Sequence, residues 1–94
     1  MFNSEARWDR ELPGKEGGQL NEPIRVGAWF ECGKIIPQVF FWNHKPYKID
    51  RVNFFWQARQ GREVISNFSV QTSGGSYQIS FNNYSLSWRL NKIL

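Results

Sequence analysis

From residue 24 onward the chain alternates apolar and polar positions with a period of two. Ile24, Val26, Ala28 and Phe30 fall on one side of an extended chain, with Arg25, Gly27, Trp29 and Glu31 opposite, as in a half-buried strand. Cys32-Gly33-Lys34 breaks the pattern as a turn. Val39 and Phe41 then alternate with Phe40 and Trp42, and Pro37 sits near the strand start, where its missing N–H is tolerated. Asn43-His44-Lys45-Pro46 forms a second, breaker-rich turn.

Over 47–59 the alternation slips. Tyr47 and Ile49 share one phase, whereas Val52, Phe54, Trp56 and Ala58 share the other, so Asp50-Arg51 is predicted to be a β-bulge that bends a long strand. A helix over 49–59 competes, because Val52 and Trp56 also have helical spacing. The aromatic run Phe54-Phe55-Trp56 and the β-branched start favour the strand. Beyond Gly61, Val64, Phe68 and Val70 alternate with Ile65, Asn67, Ser69 and Gln71, and Ser73-Gly74-Gly75-Ser76 closes a hairpin. Tyr77, Ile79 and Phe81 alternate with Gln78, Ser80 and Asn82. Asn82-Asn83 turns the chain on residues tolerant of positive φ, and Leu86, Trp88 and Leu90 form the last strand.

This pattern predicts an all-β domain over residues 23–94, about six antiparallel strands in a meander. Such a sheet hides its apolar face by forming a small barrel or a strongly curved sheet. Residues 1–22 read as a flexible or partly helical N-terminal arm. Ser4 caps a short helix through Leu12, Trp8 and Leu12 stack one turn apart, and Gly14, Gly17, Gly18 and Pro23 form a linker.

Composition sharpens the picture. The 94 residues include Phe 8, Trp 5 and Tyr 3, so the core is aromatic, which lets a small domain bury a large area per residue. The net charge of +4 is unevenly spread: residues 1–22 hold three bases and five acids, leaving a body of +6. A basic body attracts polyanions and also stays soluble. No apolar run reaches the roughly 20 residues of a membrane helix, and the charged N-terminus does not read as a secretory signal. The single cysteine excludes an internal disulfide, and a cytoplasmic location is expected.

Two aromatic triplets, Phe40-Phe41-Trp42 and Phe54-Phe55-Trp56, are the strongest functional signal. Three successive large apolar residues cannot all face one core, so Phe41 and Phe55, or their neighbours, must lie on the second face. Beside Lys45, Lys48, Arg51, Arg59 and Arg62 such rings would make a stacking platform for single-stranded nucleic acid. The alternatives are a second face covered by the arm, by barrel closure or by another copy of the chain, and bases that guard a strand edge. Chemistry for catalysis is thin. Cys32 and His44 lie in successive turns, which a meander places at opposite ends. Asp50 and Glu63 read as surface ion pairs with Arg51 and Arg62. No metal or cofactor set is present, and the expectation is a non-enzyme.

Pro37-Gln38-Val39-Phe40-Phe41-Trp42, Tyr47-Lys48-Ile49, Val52, Trp56 and Trp88-Arg89-Leu90 together resemble a family of small bacterial domains of unknown function. That family carries Pro-x-x-Phe-x-Trp, a short basic turn, Tyr-x-Val or Tyr-x-Ile, and a closing Trp-x-Leu. Here Asn43-His44-Lys45-Pro46 stands where its turn usually holds Gly-Arg. The resemblance covers residues 35–92 and implies a loose link to DNA-repair polymerases, with no catalytic residue to carry over. The expected function is a small bacterial non-enzymatic binding module that contacts nucleic acid through a basic, aromatic surface. The alternatives are a protein-interaction domain or homodimer with an aromatic interface and, less favoured, a small enzyme.

Overall fold

A computed structural model describes residues 19–94; the part of the sequence-predicted arm up to residue 18, with its helix, lies outside the described residues. The described chain forms six strands: β1 (Gln19–Glu31), β2 (Lys34–Trp42), β3 (Lys45–Gln60), β4 (Glu63–Thr72), β5 (Gly75–Asn82) and β6 (Ser87–Ile93). Each pairs antiparallel with the next, and β6 returns to β1, closing a barrel. The expected all-β meander is thus a closed barrel, with residues 19–22 already part of its first strand.

Tight turns set this topology. At Cys32-Gly33 (φ 51° and 76°) and at Asn43-His44 (φ 52° and 62°) both central residues are left-handed, which matches the twist of paired strands. Lys45 and Pro46, read from the sequence as turn residues, are instead the first residues of β3. At the β5–β6 connection the left-handed residue is Leu86 (φ 57°), not either of the asparagines. Asn82 contributes its side chain instead: Oδ1 accepts from the amides of Tyr84 (2.8 Å) and Ser85 (3.1 Å).

Phe40, Ile49, Phe68, Val70, Tyr77, Ile79, Phe81, Trp88 and Leu90 form the buried core, drawn from every strand except β1. Ile24, Val26 and Ala28 of β1 pack against it, as their shared phase predicts. The core is largely a run of touching rings. Phe40 stacks on Tyr47 at 4.9 Å and meets the edge of Tyr77 at 5.4 Å, while Trp88 lies 4.9 Å from Phe81 and 5.7 Å from Phe68. These offset and edge-on arrangements suit the ring quadrupoles.

Closure is uneven. β2 and β3 pair only through Val39–Trp42 against Lys45–Lys48. Beyond Lys48, β3 leaves β2 and runs against β4 as far as the pair Gln60 and Glu63. β1 divides similarly, pairing with β6 before Arg25 and with β2 from Arg25 onward. The tip of the β1–β2 hairpin therefore parts from β3 and leaves that side open, although Phe30 still meets the edge of Phe81 at 5.7 Å.

Two predictions follow from the inside-out assignment. Phe40 is fully buried whereas Phe54 is 70% exposed. Phe40→Ala should cost about 3–5 kcal/mol by urea denaturation, and Phe54→Ala no more than about 0.5 kcal/mol. The Tyr77 phenol is pushed above its ordinary range, by burial first and by the nearby Tyr47 second. An acid that ionises later in the folded than in the unfolded state stabilises the fold below the unfolded value of about 10, and that contribution disappears as the folded group ionises. Stability should therefore fall as pH rises beyond about 10, and Tyr77→Phe should flatten the decline.

Candidate functional site

β3 decides which aromatic rings reach solvent. Its register against β4 shifts twice, between Ile49 and Arg51 and again between Val52 and Phe54. The first shift is the bulge expected at Asp50-Arg51. The second, at Asn53, corrects the sequence reading. It separates Val52 from Phe54, so that Val52 and Phe55 pair with the inward residues Val70 and Phe68. Phe54 and Trp56 instead pair with Ser69 and Asn67 on the outer face. Each bulge spends one residue without a partner and rotates the strand, which is how a bulge re-aims side chains.

The residues singled out from the sequence separate accordingly. Phe41 is on the outer face, where Arg25 lies 5.0 Å from its ring centroid, a cation–π contact that occupies the ring. Phe55 belongs to the inward phase and touches Phe68 at 5.1 Å, yet it stays 54% exposed because β2 has diverged. Lys48 faces outward opposite Val39, and Arg51 opposite Gln71. Lys45 and Arg59 share the inward phase near opposite ends of β3, and Arg62 lies in the turn beyond it. The five bases thus run along a strand of about 50 Å rather than forming one cluster.

A different arrangement occupies the outer face of β3–β6. Reading across the ladder, Phe54, Ser69, Gln78 and Lys92 make one row, and Trp56, Asn67, Ser80 and Arg89 make the next. Short side chains in the middle strands lie between long ones on the flanks, which leaves a trough of about 540 Å³ lined by Asn67, Ser80, Asn82, Ser87, Arg89 and Asn91, among others. The flanks bury the floor: Asn67, Ser69 and Ser80 are nearly inaccessible although they face away from the core.

The trough is held in shape by its own hydrogen bonds. Ser80 Oγ donates to Asn91 Oδ1 at 3.1 Å, and an Arg89 amine donates to the Asn21 carbonyl at 2.8 Å. Asn82 Nδ2 donates to Glu63 Oε1 at 2.9 Å, engaging the carboxylate that borders the trough. The trough presents amide and hydroxyl groups with Arg89 on its lining, while Lys92 and the exposed rings of Phe54 and Trp56 lie beside it on the same outer face. Arg89, Lys92 and the buried amides did not stand out in the sequence. Their signal is that the polar phases of β4 and β5 hold Ser, Asn and Gln rather than charges.

The groups considered for catalysis lie apart. Cys32 and His44 occupy turns at opposite ends of β2, about 30 Å of strand apart. Asp50 and Glu63 lie near opposite ends of the β3–β4 ladder. Among the described residues no cluster of metal-ligating side chains is found, and no helix is long and apolar enough to cross a membrane.

Asn82 joins the trough to the β5–β6 turn by three hydrogen bonds. Asn82→Ala should destabilise the domain by about 1–3 kcal/mol. It should also speed amide exchange at Tyr84 and Ser85, which NMR reads directly. Compared with protein-family models, with curated proteins and with solved structures, the chain matches none.

Proposed function

We propose that this domain is a non-enzymatic module that binds single-stranded nucleic acid on the outer face of β3–β6. The observation that carries this reading is the pairing of two exposed rings with a basic, amide-lined trough. Phe54 and Trp56 stand two residues apart on one face of β3, a spacing of about 7 Å. Unpaired bases stack on such rings whatever their sequence. Lys48 and Arg51 continue the same face along β3, and Arg89 and Lys92 stand across the trough, within the path of a phosphate backbone. Asn91, half-buried on the trough's lining, offers its side-chain amide to base edges. Duplexes hide the base faces that these rings would take, so the preferred form is a single strand.

This reading keeps Lys48 and Arg51 from the sequence and replaces Phe41 and Phe55 with Phe54 and Trp56. Phe41 is already occupied by Arg25, and Phe55 faces the other way. Lys45, Arg59 and Arg62 add long-range attraction rather than contact.

Titration with 12-residue DNA and RNA oligonucleotides, followed by tryptophan fluorescence, tests it. Saturable quenching is expected, with log K falling against log salt at about −0.7 per phosphate contacted. Trp56→Ala should weaken binding by about 1–3 kcal/mol, and Phe54→Ala comparably. Arg51→Glu and Arg89→Glu should each weaken binding and flatten the salt slope, while Phe55→Ala leaves both unchanged. No binding at low salt, or unchanged affinity after loss of both Phe54 and Trp56, overturns the proposal.

A further inference from the structure

The open side of the barrel presents a second surface, on the opposite phase of β3. Residues 34–37 of β2 pair with β1 on one side, and β3 beyond Lys48 pairs with β4 on one side. Among the described residues the facing edges of these two stretches have no strand between them. An apolar cleft of about 520 Å³ lies there, with Ile35, Ile36, Val52 and Phe55 on its walls, Phe68 at its floor and Lys34 at its rim. Val52, Phe55 and Ile36 are exposed although they border a hydrophobic interior.

Unpaired strand edges are templates for another strand, and folded proteins commonly guard them with charge and bulges. β3 carries both devices: bulges at Asp50 and Asn53, and, on the stretch beyond Lys48, Arg51 and Arg59 against the single acid Asp50, with Lys34 at the cleft rim. A second copy of β3 laid on this edge would bring bases against bases, so the charge opposes self-pairing. The same charge favours an acidic strand. Edge protection explains the bases but leaves three apolar side chains exposed around a cleft.

We propose that the cleft between β2 and β3 is a strand-addition site for an extended, acidic peptide segment of a partner protein. The two edges supply backbone hydrogen bonds, which fix an extended conformation. The cleft takes apolar side chains from alternate positions, against Val52, Phe55 and Phe68. Aspartate or glutamate at the intervening positions is drawn to Lys34 at the rim. This site is independent of the nucleic-acid face, because Phe55 and Trp56 point to opposite sides of β3.

The test is selection of a displayed library of random 12-residue peptides on the full chain, with Phe55→Lys as the counter-selection target. Phe55 is half exposed, so that variant should fold; Lys34→Glu is a second variant with no burial cost. Enriched peptides alternating apolar with acidic residues are expected. Their synthetic versions should shift the amides of residues 34–38 and 49–57 by NMR, weaken at least about tenfold in Phe55→Lys, and weaken with Lys34→Glu. Selection of basic or unpatterned peptides, or none that depend on Phe55, overturns the proposal. So does a dimer that Phe55→Lys dissociates, which assigns the cleft to a second copy. Displacement of the selected peptides by a peptide of residues 1–18 assigns it to the chain's own N-terminal segment, and likewise overturns the partner reading.

Discussion

β3 has to belong to two sheets at once, and most of the structure depends on how it does so. Its first residues complete a hairpin with β2, and the remainder forms the longest ladder of the molecule, with β4. A regular strand could not serve both, because pleat and twist fix the direction in which its hydrogen-bonding edges point. The bulges at Asp50 and Asn53 supply the change of direction. They let a six-strand meander close on an aromatic core too bulky for a flat sheet, and they leave the barrel open where β2 and β3 part.

The consequences reach both candidate surfaces. With one bulge, Val52, Phe54 and Trp56 would share a face, and the aromatic triplet would be divided differently between core and solvent. With two, Phe54 and Trp56 turn outward beside short polar residues of β4, while Val52 and Phe55 turn toward an interior that β2 no longer covers. One strand thus supplies exposed rings to a polar trough on one side and exposed apolar groups to a cleft on the other. A fully paired β3 would have hidden Phe55 and abolished the cleft.

This explains what was legible in the chain and what was not. Period-two alternation in β1, β4 and β5 identified strands and core faces, because β4 and β5 keep one phase throughout and β1 does so from Ile24 onward. The first slip was visible, since Ile49 and Val52 are both apolar and an odd number of residues apart. The second was hidden by composition: Phe54, Phe55 and Trp56 are all large and apolar, so either phase through them reads as a core stripe. Only the partner strand distinguishes them, through Ser69 and Asn67 on one side and Phe68 on the other. Arg89 and Lys92 were passed over for a related reason. Their neighbours across the trough come from strands far away in sequence, and the bases close together in sequence at 45–62 gave the stronger but less focused signal.

Charge on β3 has to be reconciled with its exposed hydrophobic groups. A long edge left bare would invite aggregation, and removing Val52 and Phe55 from it would be the simplest protection. The chain instead keeps those side chains and surrounds them with bases. On the strand-addition proposal, repulsion between copies would oppose self-pairing without filling the cleft, and it would act selectively, opposing basic strands and attracting acidic ones. In the proposed nucleic-acid reading the trough would use the same long-range field toward a different polyanion, with stacking rings in place of strand edges. Both surfaces therefore follow from one arrangement: an underpaired, twice-bulged, basic strand whose two phases face different chemistry.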